Sequence, residues 1–444
     1  MNEIPPALLY GGPLLLILWV YLRRQSRRTA AHAAAWKESQ EAGLVEPASM
    51  HPVVDPSKCF GSGSCERACP EKALGVVNGK MFLVNPSACI GHGACAESCP
   101  THAIQLVFGT ERRGMELPFV KPDFETNVEG LFIAGELGGM GLIRKAAEQG
   151  RQAVEAIARR SRGAAPLDLV IVGAGPAGLT ASLAAKEKGL RYVTLEQEDD
   201  LGGSILHYPR AKIAMTAPVR LPIVGAVKMS EISKEQLLAF WKKVVRGTGL
   251  AVRFGERMEA LERVPGGFEV RTAKGAHRAA SVLLALGRRG TPRKLGVPGE
   301  ELPKVVYRLL EPEQFAGRRV VVVGGGDSAL EAALAVAEAG RADVVLSYRG
   351  EAFNRVKTRN RQRLEAAAGA GRLRVMLESN VRRVEADAIV IEQKGREIRL
   401  GNDAVIVCAG GELPTPFLKK AGVRIDTHHG TAREESGPGA ATRA

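Results

Sequence analysis

A chain of 444 residues exceeds what one hydrophobic core holds, so two to four structural units are expected. The net charge of +14 admits an anionic membrane surface, an acidic protein or nucleic acid, but no zinc-finger spacing or RNA-binding signature accompanies it, which ranks nucleic acid last. Six of the seven cysteines fall between Cys59 and Cys99, which excludes a disulfide scaffold and points to cluster chemistry.

Ile4 to Leu22 is free of charge and long enough as a helix to cross one hydrocarbon core. Tyr10, Trp19 and Tyr21 suit the interfaces, and Arg23, Arg24, Arg27 and Arg28 follow at once, which by the positive-inside rule keeps the C-terminal side in the cytoplasm. Residues 1–28 are therefore expected to be a single-pass anchor in the cytoplasmic membrane. Pro5, Pro6 and Pro13 leave a buried or interfacial helix as the alternative. Residues 29–54 read as a helical or flexible stalk.

Cys59, Cys65 and Cys69-Pro70 recur as Cys89, Cys95 and Cys99-Pro100, an internal repeat with identical spacing. Over about residues 55–108 this segment resembles the bacterial two-cluster ferredoxins, whose C-x2-C-x2-C-x3-C-P motif gives three thiolates to one cluster and the fourth to the other. The resemblance implies one cluster on Cys59, Cys65 and Cys99 and a second on Cys69, Cys89 and Cys95. The second cysteine of each motif is missing, replaced by Ser62 and His92. Each cluster is then 3Fe-4S, or 4Fe-4S with a non-cysteine ligand, for which the imidazole of His92 is better suited than Ser62. Zinc is the alternative, though the spacing is not that of zinc knuckles.

Thr126 to Arg160 holds a short apolar strand, Gly135-Glu136, and a helix with Ile143, Ala147, Val154 and Ile157 at helical spacing. It resembles the closing motif of the thioredoxin reductase family, which covers the flavin. In that family the motif comes last, so the flavin domain here, with residues 115–162 as its closing segment, is expected to be circularly permuted.

From Asp168 the sequence reads as a strand, the glycines Gly173, Gly175 and Gly178, a helix, and a second strand ending at Glu196. That spacing turns the backbone, lets it approach a pyrophosphate, and sets an acid beside a ribose diol. Gly202 and Gly203 follow as a loop expected to pass the same pyrophosphate. A second fingerprint, Gly324, Gly326 and Ala329, follows Arg319 to Val323. Its next strand ends not in an acid but in Tyr348-Arg349, with Arg355 and Lys357 beyond, cations suited to a 2′-phosphate and hence to NADPH over NADH. Over some 245 residues from Pro166 the chain resembles the low-molecular-weight thioredoxin reductase-like flavoproteins, and LGVPGEELPKV with GGGDSA suggests their bacillithiol disulfide reductase-like branch. That resemblance implies FAD at residues 166–290, NAD(P)H at 291–412, and a possible homodimer. No Cys-x-x-Cys is present, Ala177 stands where that branch carries a cysteine, and Cys408 is alone, so a dithiol mechanism is not expected. His207 and Tyr208 follow the flavin loop and read as structural. Residues 413–444 are expected to be a partly disordered tail.

The expected architecture is α/β: two Rossmann-like nucleotide-binding domains for FAD and NADPH, a small α+β ferredoxin-like iron–sulfur domain, and one N-terminal transmembrane helix. The implied activity is an FAD-dependent oxidoreductase passing electrons between NADPH and two iron–sulfur clusters to an electron-carrier protein or membrane acceptor. No side chain is assigned a catalytic role. Ferredoxin-driven NADP+ reduction and a non-catalytic redox sensor are the alternatives.

Overall fold

The computed structural model describes residues 6–432, apart from 42–44, 46, 48–49, 90, 92, 112–113, 140–141, 161–164, 209–212, 216–217, 229–230, 288–291, 308, 310, 354–355 and 412–413. The chain divides into two compact units, residues 1–111 with 430–433, and the remainder.

The smaller unit begins with one helix, Pro6–Glu41, that runs through both the expected anchor and the expected stalk. Its C-terminal half docks on the hairpin Leu74–Val77/Lys80–Leu83. There the Trp36 and Phe82 rings lie 4.9 Å apart, the Ser39 hydroxyl donates to the Val84 carbonyl at 2.8 Å, and His32 Nδ1 accepts from the Val76 N–H at 3.2 Å. Gly75 is required at that contact, since a Cβ on it would lie 2.6 Å from the His32 ring. Among the described residues no helix is long and apolar enough to cross a membrane. The expected span begins in residues 1–5 and the side chains of 6–10, which lie outside the description. The apolar run that is described, Leu14 to Leu22, amounts to about 14 Å of helix, under half a hydrocarbon core, before the arginines begin. Leu14 to Trp19, Tyr21 and Leu22 are each more than half exposed.

The cysteine repeat is visible as a structural repeat. Each arm has a short helix, Ser64–Ala68 or Ala94–Glu97, entered through a left-handed glycine, Gly63 or Gly93. His51–Val54 pairs antiparallel with Ile104–Phe108, and Thr431–Ala432 adds a third strand on the other side of Ile104–Phe108. The expected tail is thus ordered well beyond residue 413. Thr415–Lys420 is helical and Ile425–His428 pairs with Met115–Pro118, while residues 413 and 433–444 lie outside the description. The Gly/Ala/Ser bias of the tail begins only after these strands.

In the larger unit the first sheet centres on Leu167–Val172 and Gly275–Leu284, whose apolar stretches Leu169 to Val172 and Val282 to Leu284 are buried as the middle of a covered sheet needs. Tyr192–Leu195 and Val252–Arg253 extend it in parallel on one side, and Gly267–Thr272 with Met258–Val264 form an antiparallel flap on the other. Leu131–Ile133, which precedes all of these in sequence, pairs in parallel with Val282 to Leu284. The helix that follows it, Ile143–Ala158, crosses the helix Pro176–Glu187 closely: a Cβ on Gly150 would lie 2.1 Å from the Ala177 carbonyl oxygen. The segment 126–160 is therefore an integral part of the first nucleotide fold. The second sheet is five-stranded and parallel, with Arg319–Val323 between Ala404–Val407 and Asp343–Ser347, and carries a three-stranded antiparallel flap at Ser379–Gly401.

Gly150→Val is expected to force the two helices apart at the Ala177 carbonyl, lowering the stability of this unit by about 2–3 kcal/mol in urea unfolding, with Gly150→Ala intermediate. Wild-type stability in the valine variant would remove the close helix crossing.

Candidate functional site

The first glycine turn distributes three tasks over three residues. Gly173 has φ +109°, and a Cβ there would meet the Ala285 carbonyl oxygen at 2.5 Å, so the turn is open to glycine alone. A Cβ on Gly178 would lie 1.8 Å from the Gly173 carbonyl oxygen, which is how closely the helix sits on its strand. Gly175 is the contrast, with nothing nearer than 3.9 Å to its Cβ position, space in which a pyrophosphate could approach the backbone. The Gly202–Gly203 loop packs against this turn: the Gly202 N–H donates to the Ala174 carbonyl at 3.0 Å, and a Cβ on Gly203 would lie 3.2 Å from Gly175 Cα.

Glu196 is buried at the end of the second strand, 4% exposed. Its Oε2 accepts from the Ala174 N–H at 2.7 Å and its Oε1 from the Glu198 N–H at 3.1 Å. Burial pushes its carboxyl above the ordinary range despite those hydrogen bonds. With two N–H groups on a carboxylate, acceptor capacity is left over for a ribose diol. Gly135 presses on the same turn from the preceding segment, its Cβ position 3.0 Å from Ala177 Cβ and its N–H donating to Gln149 Oε1 at 2.8 Å, and Glu136 joins it in lining the cleft.

The second turn repeats the geometry. Gly324 has φ +151° and a Cβ there would meet the Cys408 carbonyl oxygen at 2.4 Å, while Gly326 has nothing within 4 Å of its Cβ position. Ala329 is fully buried, its Cβ 3.0 Å from the Cβ position of Gly324. Tyr348 lies flat across Gly325, whose Cβ position falls 2.0 Å from the ring, and stacks on Phe353 at 5.3 Å. Arg349 beside it lines the cleft; Arg355 lies outside the described residues.

Both turns open into one cleft of about 1760 Å³, lined by Gly173, Gly175, Glu196, Gly324, Gly326 and Arg349 among others. His207 and Tyr208 also line it. So does Cys408, whose thiol burial pushes up to about 11. Two Rossmann-type turns facing one cleft define a dinucleotide-dependent oxidoreductase with two nucleotide sites. Residues 170–436 match the family described as pyridine nucleotide-disulphide oxidoreductase, and residues 51–100 match a 4Fe-4S dicluster domain. The chain belongs to the pyridine nucleotide-disulphide oxidoreductase family, and is an FAD-dependent NAD(P)H oxidoreductase carrying an iron–sulfur domain. It is 34% identical to a ferredoxin–NADP reductase of Thermus thermophilus over 284 residues, 60% of this chain and 81% of that protein. With the bacilliredoxin reductase Bdr of Bacillus subtilis it shares 28% identity over 267 residues, 59% of this chain and 82% of the relative. The structure of bacillithiol disulfide reductase Bdr (YpdA) from Staphylococcus aureus superposes with a TM-score of 0.52 at 27% identity, over 59% of this chain and 81% of that one.

In the smaller unit Cys59, Cys65 and Cys99 line one small cavity, together with Ser62. Cys69, Cys89 and Cys95 form the other neighbourhood, close enough for their charges to interact. The split is the one the ferredoxin resemblance implies. Burial pushes the Cys65 and Cys89 thiols up and Cys95 up to about 12. At Cys99 burial is outweighed by hydrogen bonds with Thr101 and Ala103, which hold the thiol below its ordinary value. Among the described residues no group of three or more His, Cys, Asp or Glu side chains could hold a metal ion. A multi-iron cluster spreads its thiolates around a volume rather than a point, and two apolar-walled groups of three cysteines with backbone N–H groups aimed at sulfur fit such a cluster. His92 lies outside the described residues.

Several contributors were not singled out from sequence. Gly150 and the buried Glu256, which accepts from Thr272 at 2.9 Å and pairs with His277 at 2.7 Å beside the cleft, depend on contacts between distant segments, as does the packing of Tyr348 over Gly325. No local motif announces them.

Because the Glu196 carboxyl is raised, it takes up its proton above the usual carboxylate range as pH falls, and so loses acceptor capacity for a ribose. Flavin affinity of reconstituted apoprotein, read by flavin fluorescence, is expected to weaken through that acid range. Glu196→Gln is expected to bind about tenfold more weakly at neutral pH, with a flat acid limb; an unchanged affinity and pH profile would separate Glu196 from the flavin.

Proposed function

We propose that the protein moves electrons between NADPH and a one-electron carrier by way of FAD and two fused iron–sulfur clusters. The observation that carries this reading is the one cleft shared by both glycine turns, in a chain whose residues 51–100 match a 4Fe-4S dicluster domain. FAD, when bound, accepts a hydride and can release its two electrons singly, so it joins a two-electron donor to one-electron centres. The protein's part is placement. Gly175 and Gly326 leave room for the two pyrophosphates, Glu196 accepts from the flavin ribose, and Glu136 borders the flavin side of the cleft. Arg349 meets a 2′-phosphate, a role Arg355 is proposed to share. The thiolates of Cys59, Cys65 and Cys99 hold one cluster and those of Cys69, Cys89 and Cys95 the other. No general acid or base is needed.

The names of the relatives bear on the partner. Ferredoxin–NADP reductase supports an iron–sulfur carrier, and the same parts run in reverse serve ferredoxin-driven NADP+ reduction. A disulfide substrate is less suited. Ala177 occupies the glycine turn, and Cys408 is a single half-buried thiol whose desolvation raises its pKa, which disfavours the thiolate a nucleophile needs. The proposed location is the cytoplasmic face of the membrane. It is supported by the exposed run Leu14 to Leu22 with Trp19 and Tyr21, followed by Arg23, Arg24, Arg27 and Arg28.

Anaerobic addition of NADPH is expected to bleach the flavin and then raise a cluster EPR signal, with NADH weaker and Arg349→Gln removing the preference. Flavin bleaching with clusters that only a stronger reductant reduces would instead favour the reverse direction, and absence of iron would end the reading. In vesicle flotation the full chain is expected to rise with anionic lipid, and Leu15→Glu/Leu18→Glu to stay behind; equal behaviour of the two proteins would refute membrane attachment through this helix.

A further inference from the structure

The two cysteine arms are equivalent in backbone. Gly63 and Gly93 enter their helices in the left-handed conformation, and Lys72 and His102 share φ values of 49° and 48°. The Ala73 N–H reaches Cys69 Sγ at 3.4 Å and the Ala103 N–H reaches Cys99 Sγ at 3.3 Å. Backbone hydrogen bonding to sulfur therefore does little to separate the two sites. Charge does.

Beside Cys59, Cys65 and Cys99, the exposed Arg67 guanidinium donates to the Ser62 carbonyl at 3.4 Å and to Ser64 Oγ at 3.3 Å, on the loop between two of the ligands. Lys80 Nζ donates to the carbonyl of Cys59 itself at 2.6 Å and to that of Pro56 at 2.8 Å. Thr101 Oγ1 lies 3.7 Å from Cys99 Sγ. Of the anions there, Asp55 is paired with Lys58 at 3.2 Å, and Glu66 lies 3.3 Å from His32 Nε2. His32 Nδ1 accepts from the Val76 N–H, which leaves the Nε2 hydrogen for Glu66. In the other arm the two cations, Arg67 and Lys80, and the Thr101 hydroxyl are lost or reversed. Glu97 stands in the position of Arg67, Thr110 in that of Lys80, and Glu71 in that of Thr101, within Coulombic reach of Cys89.

A cluster that gains an electron gains a negative charge, which nearby cations favour and nearby carboxylates oppose. We propose that the two iron–sulfur sites form a graded pair, with the Cys59, Cys65, Cys99 cluster at the higher potential. A single electron on the module then leaves the Cys69, Cys89, Cys95 cluster oxidised and the Cys59, Cys65, Cys99 cluster reduced, with no proton moved. Arg67 and Glu97 are the positioning charges that set the order. The inference rests on the reading that both sites are loaded.

The test uses the full chain, with iron and sulfide quantified first and both clusters followed by EPR during a redox titration at low and high salt. Arg67→Gln is expected to lower the midpoint of the higher-potential signal alone, by about a threefold change in the electron-sharing equilibrium, and Glu97→Gln to raise the lower-potential signal alone. Arg67→Lys restores the first midpoint, the double variant Arg67→Gln/Glu97→Gln narrows the gap, and salt shrinks both shifts because the two side chains face solvent. The proposal is overturned if both substitutions move one signal, if neither moves any, or if the Glu97-sensitive cluster proves the higher, the outcome that ligation by His92 would give. Iron for fewer than two clusters would overturn it together with the two-cluster reading, and the metal count tells that case from the others.

Discussion

The approach of Gly178 to the Gly173 carbonyl is the contact on which the first nucleotide fold depends. With no side chain at Gly178, the helix Pro176–Glu187 seats its first turn directly on the strand Leu167–Val172, which aims its unpaired N–H groups and the positive end of its dipole into the cleft. The rest of the site is arranged around that seat. Glu196 reaches back to the Ala174 N–H within the turn, the Gly202 N–H caps the Ala174 carbonyl, and Gly150 brings a second helix against Ala177 in the same first helical turn. The second turn has Ala329 in place of the third glycine, its Cβ 3.0 Å from the Cβ position of Gly324.

What the sequence made legible is what physics concentrates in short stretches. The glycine spacings, the apolar strands and the paired cysteine arms are local, and each appears in the structure as the elements that its residues imply. Leu131–Ile133 with Gly135-Glu136 was legible for the same reason, although its place beside Val282 to Leu284 required the long-range pairing to be seen. Within the tail, strand pairing, which composition does not reveal, orders Ile425–His428 and Thr431–Ala432: their partners lie more than 300 residues earlier. Of the two alternatives for the stalk, helical or flexible, the structure has the helix through Glu41; its docking was not legible because His32, Trp36 and Ser39 are unremarkable along the helix and become specific only when the hairpin presents Val76, Phe82 and Val84. Arg355 and His92, both singled out from chemistry, fall outside the described residues, so their part rests on sequence.

The iron–sulfur unit shows how duplication and divergence divide the work. Backbone features that any cluster needs, the left-handed glycines and the N–H groups facing sulfur, are the same in both arms. Side chains around the ligands differ, Arg67 against Glu97 at exposed positions and Glu71 against Thr101 at half-buried ones. The helix Pro6–Glu41 is fastened to the first arm through Glu66 and the hairpin that follows Cys69.

The strand Thr431–Ala432 gives this unit an unusual relation to its own synthesis. Residues 1–111 leave the ribosome early, but the edge of Ile104–Phe108 that this strand covers stays open until some 320 further residues have been made, roughly 20 to 60 s at ordinary elongation rates. Throughout that interval the nascent chain carries an unpaired strand edge beside its cysteines, the kind of edge that recruits foreign strands. The last strand therefore acts as a closure added after translation of the nucleotide folds, and it sets the earliest moment at which the sheet beside the clusters is complete.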